Sequence, residues 1–189
     1  MIDYVRGQES LIKPDKYMII NVDRCWGCKS CEVACRISHG ASPGVSPMRV
    51  IEIGPRHIKN QLHRDWVPVP CQHCDHPNCV SSCAVNAIHK DVTGTVTIDR
   101  ETCIGCGACE AACPYGAIEM TGKNVSKCDL CFERTNLGWA PSCEQHCIGK
   151  AIKTIKADDL DRVIKKCYHY KIGLIVYISE KWNFDLISM

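Results

Sequence analysis

Sixteen of the seventeen cysteines fall into four quartets, and each quartet closes with the same C-x3-C step. The first is Cys25, Cys28, Cys31 and Cys35; the second is Cys71, Cys74, Cys79 and Cys83. The third is Cys103, Cys106, Cys109 and Cys113; the fourth is Cys128, Cys131, Cys143 and Cys147. Only Cys167 stands outside. Thiolate sulfur is soft and selects iron–sulfur clusters, zinc or copper(I). Spacing chooses among them. C-x2-C-x2-C is a tight loop whose backbone wraps three corners of one cube. A fourth cysteine three residues further on does not easily reach that cube, and in two-cluster ferredoxins it binds the neighbouring one. The segment 103–114, CIGCGACEAACP, matches the run C-x2-C-x2-C-x3-C-P in full, and 25–35 matches it except that Arg36 replaces the proline. Sixteen thiols are the ligand set of four [4Fe-4S] clusters, with iron held through the cysteines alone.

The second quartet widens one gap to four residues and the fourth widens it to eleven. Taken alone, C-x2-C followed by a distant C-x3-C also suits zinc, so three clusters plus one zinc is the alternative count. His73, His76 and His146 lie among these cysteines. A Rieske centre needs two histidines in place of two cysteines; no cysteine is missing, so these are expected to surround the ligands rather than to bind iron. Backbone N–H groups at Gly27, Gly105, Gly107 and Gly116, with Lys29 and Arg36, are placed to raise cluster potentials.

The elements that position the quartets can be read around them. The third and fourth cysteines stand at i and i+4 in every quartet, on one face of a helix and one turn apart, so one turn touches two neighbouring clusters. Residues 18–23 (MIINVD) and 95–99 (TVTID) read as strands entering the first and third quartets. The exits echo one another as AVNAI, PYGAI and IGKAI, each with an Ala-Ile pair that starts an outgoing strand. These are duplicated β-turn-α-β units. Val92 to Thr95 reads as a hairpin turn. Residues 36–70 form an insert with five prolines and two short strands, 48–53 and 66–69, expected to be partner-facing or to cover the clusters. Residues 158–170 read as a helix, N-capped by Asp158, with Leu160, Val163, Ile164 and Cys167 on one buried face. IGLIVYI then reads as a buried strand.

Composition sets the class. The chain is 189 residues long, 46% hydrophobic but only 6% aromatic, a thin core for its length. Clusters acting as staples would make good the deficit. The formal net charge is +2, and four clusters of about −2 each bring the loaded chain to roughly −6. The slight basicity therefore offsets cluster charge and is no nucleic-acid footprint. The N-terminal stretch has neither an apolar signal core nor a twin-arginine pair, and the longest apolar run is far too short to span a bilayer. A chain of the reducing cytoplasm is expected.

The order and spacing of all four quartets resemble the four-cluster ferredoxin subunits of the dimethyl sulfoxide reductase superfamily, including the iron–sulfur subunits of formate dehydrogenases. Cys71-Gln-His-Cys-Asp-His-Pro-Asn-Cys79 and Lys127 to Cys143, with Arg134, Gly138 and Pro141 in place, carry the likeness over roughly residues 18–155. The resemblance implies an α+β fold of two nested bacterial ferredoxin-like modules with an inserted loop and strand region and a C-terminal helix and strand. It divides the chain into an N-terminal arm (1–17), an outer module (18–35 with 124–155), the insert (36–70), an inner module (71–123) and an extension (156–189). It also implies the ligand sets. Cys25, Cys28, Cys31 and Cys147 hold one cluster; Cys128, Cys131, Cys143 and Cys35 hold its neighbour. Cys71, Cys74, Cys79 and Cys113 hold the third; Cys103, Cys106, Cys109 and Cys83 hold the fourth. The pattern departs at Ala84 and Ile148, where proline often follows the last cysteine.

The implied function is a relay of single electrons, without a catalytic site of its own. The expected partners are a large molybdenum- or tungsten-pterin catalytic subunit and a ferredoxin or flavin protein that gives or takes the electrons. The partner enzyme is expected to be of formate dehydrogenase type or of the tungsten aldehyde oxidoreductase type, such as benzoyl-CoA reductase. A free polyferredoxin serving carbon monoxide dehydrogenase or hydrogenase has the same clusters and no fixed partner. A zinc-binding interaction module is the third reading and predicts a colourless protein.

Overall fold

Each cysteine quartet is entered by one strand and left by another, and every exit strand pairs with the strand that enters the next quartet. A computed structural model describes residues 14–58, 60–181 and 184; most of the expected N-terminal arm lies outside them. Strand β1 (Lys16–Asn21) leads into the first quartet and helix α1 (Ser30–Ser38). The exit strand β2 (Met48–Ile58) pairs antiparallel with β3 (Gln61–Pro70), which leads to the second quartet and α2 (Asn78–Ser81). Strand β4 (Ile88–Lys90) pairs with β5 (Val96–Ile98), the entry to the third quartet and α3 (Ala108–Ala112). Strand β6 (Ile118–Thr121) pairs with β7 (Asn124–Lys127), the entry to the fourth quartet with α4 (Phe132–Asn136) and α5 (Ser142–Gln145). Strand β8 (Ile152–Lys156) returns antiparallel to β1 and closes the ring. The fold is α+β with ferredoxin-like modules, as the resemblance implied.

The insert is not a loop with two short strands. It is a hairpin of 11- and 10-residue strands, and α1 runs into it as far as Ser38. Its Ile, Val and Trp residues favour extended backbone. Pro55 sits at the irregularity between Ile53 and Arg56, and Pro68 and Pro70 are tolerated because a two-stranded ribbon has only edges. The hairpin is docked on both sides. Glu32 on α1 accepts from the Val50 N–H; Glu119 on β6 accepts from the Ser46 N–H at 3.3 Å and pairs with Arg49.

The C-terminal segment also departs from expectation. The helix expected over 158–170 is a 3-10 turn at Ala157–Asp159 followed by only one short helix, α6 (Leu160–Ile164), and Asp158 lies inside the turn rather than capping it. Strand β9 (Tyr168–Ile172) follows and pairs with β10 (Ile175–Ser179). The apolar period of Leu160, Val163, Ile164 and Cys167 suits a helix, but Tyr168, Tyr170 and Ile172 alternate and Gly173 turns the chain. Hairpin pairing with β10 outweighs helix propensity there. Cys167 is half-buried, not buried, and its Sγ donates to the Val163 carbonyl at 3.4 Å. The apolar strand is β10, which inserts parallel to β1 and yields the four-stranded order β8-β1-β10-β9.

That inserted strand braces the second quartet. Gly173 has φ +51°, and a Cβ there would lie 2.2 Å from the His73 carbonyl oxygen and 2.5 Å from that of Gln72. The Leu174 N–H donates to the same Gln72 carbonyl at 3.1 Å. Gly173→Ala is expected to cost about 2–5 kcal/mol, from left-handed strain plus overpacking. Thermal unfolding of the iron-loaded protein measures it, and an unchanged midpoint would contradict this packing.

Two apolar cores result, and cysteines are part of both. One gathers Met18, Ile20, Met48, Ile152 and Ile175 around Cys31, Cys35, Cys71, Cys128 and Cys143. The other gathers Ile88, Val96, Ile118 and Val125 around Cys79 and Cys109.

Candidate iron–sulfur centres

Each cysteine loop is built on the same backbone device. The residue before the second cysteine is left-handed in all four quartets: Gly27 (φ 70°), His73 (φ 48°), Gly105 (φ 69°) and Leu130 (φ 57°). Such residues curl the chain so that successive N–H groups face one concave side, a cradle for negative charge. At Gly27 the freedom is also steric, because a Cβ would lie 2.3 Å from the Trp66 ring that covers this loop.

The echoing exits have a structural cause. Asn86, Gly116 and Lys150, each three residues after a fourth cysteine, are left-handed, with φ of 55°, 57° and 52°. The turn aims the next N–H at sulfur. Ala87 donates to Cys83 Sγ at 3.2 Å, Ala117 to Cys113 Sγ at 3.4 Å and Ala151 to Cys147 Sγ at 3.1 Å. Strands β4, β6 and β8 begin one residue later. Proline after the cysteine is not required for this turn, since Ala84 and Ile148 accompany the same geometry. The first quartet has no such exit: α1 continues past Cys35, and the His39 N–H closes on the Cys35 carbonyl.

The eleven-residue gap of the fourth quartet is closed by Arg134. Its guanidinium donates to the Ala140 carbonyl at 3.2 Å and to the Gln145 side chain, and lies 5.3 Å from the Trp139 ring centre. Gly138 turns left-handed (φ 77°) and Pro141 precedes α5. Cys143 is thereby carried back to its own C-x2-C.

The thiols gather across quartets. Cys83 joins Cys103, Cys106 and Cys109 around one recess, walled by Ile88 and Val125. Cys113 joins Cys71, Cys74 and Cys79 around a second, walled by Val96 and Ile118. Burial pushes the Cys31 thiol up to about 12, and neighbouring Cys25 and Cys147 add to it. Cys25 in turn faces Cys147 and Cys28. Burial raises the Cys35 thiol well above its ordinary value, with Cys128, Cys143 and Cys131 contributing. The groups also neighbour one another. Cys143 lies within electrostatic range of Cys31 and Cys128 within that of Cys71, and α2 packs against α3.

This donor set suits a cube better than an ion. A structural zinc draws four thiolates in to about 2.3 Å and leaves no space between them. Among the described residues no three cysteines bring their Sγ atoms within 4.8 Å of one another, a wider spacing than thiolates drawn onto one zinc would show. The apolar walls of the two inner recesses, their sulfur-only ligands and inward N–H groups match a thiolate-held [4Fe-4S] cluster.

Comparison with known proteins agrees. The family described as "4Fe-4S dicluster domain" matches residues 62–157, and a "4Fe-4S binding domain" matches 22–37. One of the chains of the anaerobic dimethyl sulfoxide reductase of Escherichia coli is 36% identical over 150 residues, covering 75% of the present sequence and 73% of that protein. The thiosulfate reductase electron transfer subunit of Salmonella typhi is 35% identical over 146 residues, 75% of the present sequence and 76% of the other. One of the subunits of the tetrathionate reductase of Salmonella typhimurium is 36% identical over 141 residues, 71% and 55%. The protein belongs to the 4Fe-4S dicluster electron-transfer subunits of the dimethyl sulfoxide reductase family. As a dicluster subunit it is an iron–sulfur electron carrier with several [4Fe-4S] clusters.

The histidines of this dicluster subunit stand beside the thiols. His73 is fully buried and its Nδ1 accepts from the Val96 N–H at 2.9 Å, which leaves the ring proton on Nε2. Burial, with Lys127, Lys90 and Lys16 nearby, holds His73 well below the usual histidine range, so it stays neutral. His146 Nδ1 donates to the Ser142 carbonyl at 2.9 Å. His39 is a neighbour the sequence did not signal. Its Nε2 lies 3.9 Å from Cys131 Sγ and 3.5 Å from Asp129 Oδ1, and the three form the one set of metal-ligating side chains outside an all-cysteine group among the described residues. Since Cys131 faces Cys35, the set is part of a cysteine group and not a separate site. Among the described residues no helix is long and apolar enough to cross a membrane.

Proposed function

We propose that this chain relays single electrons along a row of four [4Fe-4S] clusters, to or from a molybdenum-pterin catalytic subunit that reduces a small sulfur compound. The observation that carries this reading is the exchange of the fourth cysteine between paired quartets. It supports four ligand sets: Cys25, Cys28, Cys31 and Cys147; Cys128, Cys131, Cys143 and Cys35; Cys71, Cys74, Cys79 and Cys113; Cys103, Cys106, Cys109 and Cys83. The electrostatic proximity of Cys143 to Cys31 and of Cys128 to Cys71, with the α2–α3 packing, favours that order along the row.

A bound cluster takes up and gives back one electron. The chain's own residues hold the centres close, dry and hydrogen-bonded. The two exposed thiols, Cys28 and Cys106, belong to the two terminal groups. Exposed Trp26, Ile37 and Ile148 accompany the first and Ile104 accompanies the second. Electrons therefore enter at one end and leave at the other, through apolar surfaces suited to partner subunits. The relatives are components of dimethyl sulfoxide, tetrathionate and thiosulfate reductases. That favours molybdenum over the tungsten, benzoyl-CoA reductase-type partner that was also expected. A reducing compartment, the cytoplasm, belongs to the same reading, since thiolates that hold iron must not be oxidised to disulfides.

Iron, sulfide and zinc per chain, on protein purified without oxygen together with whatever co-purifies, test the proposal. About sixteen irons and a large molybdenum-containing subunit are expected. About twelve irons with one zinc would demote one site, and zinc without iron would end the reading.

A further inference from the structure

We propose that Lys127 raises the reduction potentials of the two central clusters by holding one fixed positive charge between their ligand groups. The inference rests on the four-cluster reading above. Lys127 is the last residue of β7 and only 6% exposed. Its ammonium donates to the Val96 carbonyl at 2.5 Å and to the Cys128 carbonyl at 2.7 Å. Both partners are neutral, and among the described residues no carboxylate pairs with it. Burying a lysine without a counter-charge is costly. The thiolate-bound clusters, at about −2 each, would supply negative charge on both sides of it, beyond the carboxylates of Asp99, Glu101, Asp129 and Glu133 that line one cavity with it but do not pair with it.

The two carbonyls define where that charge sits. Cys128 belongs to the group of Cys131, Cys143 and Cys35. Val96 walls the recess of Cys71, Cys74, Cys79 and Cys113. Lys127 thus bridges the groups on either side of the middle of the row, and it acts electrostatically on Cys128 in one and Cys79 in the other. Reduction makes a cluster more negative, so a nearby fixed cation favours the reduced state and raises the potential. Without it, both central clusters would be harder to reduce than they are with the charge in place. Lys127 is a positioning charge and touches no substrate.

The test is an EPR-monitored redox titration of iron-loaded Lys127→Gln, whose amide still donates hydrogen bonds but carries no charge. Two of the four midpoint potentials should fall, each by at least a tenfold change in the one-electron reduction equilibrium, about 59 mV, while two stay in place. Lys127→Arg, which keeps the charge, should leave all four near their original values. A fall in one potential only, in none, or equally in all four overturns the inference. If Lys127→Gln loads incompletely, loss of the two central clusters with both terminal clusters kept gives Lys127 a structural role and overturns the inference. Loss of all the iron makes Lys127 a folding residue and overturns it. Fewer than about sixteen irons in the unsubstituted protein would be a failure of the four-cluster reading instead.

Discussion

Stripping iron from the loaded protein with a chelator, without oxygen, should unfold it. Seven of the fully or nearly buried core positions are cysteines: Cys31, Cys35, Cys71, Cys128 and Cys143 in one core, Cys79 and Cys109 in the other. The secondary structure around them does not stand alone. Five of the six helices among the described residues span only four or five residues and the longest nine, below the roughly 12–15 needed for a marginal helix in water. Among the described residues three of the four sheets are two-stranded, and an isolated hairpin is marginal at best. A single structural zinc supplies about 10–16 kcal/mol of folding free energy in small domains, as much as the whole stability of a typical domain, about 5–15 kcal/mol. Four cluster sites exceed that margin. Far-UV circular dichroism should collapse on chelation and return with iron and sulfide. A native spectrum in iron-free protein would show that the apolar cores suffice.

Cys113→Ser should empty the recess of the second quartet and leave that of its own quartet loaded. Cys113 lines the recess with Cys71, Cys74 and Cys79, while Cys103, Cys106 and Cys109 line theirs with Cys83. Loss of an outer hydrogen-bond partner at a metal site already costs roughly 10–100-fold in affinity, so loss of a direct ligand should cost more. Iron should drop by about four per chain. The crossing is isolated by pairing substitutions. Cys113→Ser with Cys71→Ser should lose no more than either alone, because both hold one centre. Cys113→Ser with Cys103→Ser should lose about eight irons. If the second pair is the non-additive one, each quartet holds its own centre and the exchange is wrong.

What could be read from the chain and what could not divide along one physical line. The C-x2-C-x2-C loops and the Ala87, Ala117 and Ala151 exits depend on φ/ψ choices within a dozen residues. Local spacing encodes them, and the strands at Ile88, Ile118 and Ile152 begin where the Ala-Ile pairs placed them. The ferredoxin-like α+β fold and the iron–sulfur chemistry followed from that spacing and its family resemblance. Elements whose state depends on a partner were misjudged. Residues 54–58 and 61–65 have weak local signals and became strand because β2 and β3 pair on both sides of the irregularity at Pro55. Residues 168–170 left the helical pattern because β10 offered them an edge. Lys127 was visible as part of a motif, but its burial between the carbonyls of Val96 and Cys128 arises only where β5 meets β7. His39 reaches Cys131 across ninety-two positions. Cysteine number and type are properties of the chain; which thiols face one another, and in what order the groups touch, depend on packing between segments more than a hundred residues apart, as with Cys25 and Cys147. Spacing constrains what a short loop can wrap. Only the closing of β8 onto β1 brings the ends of the ring together.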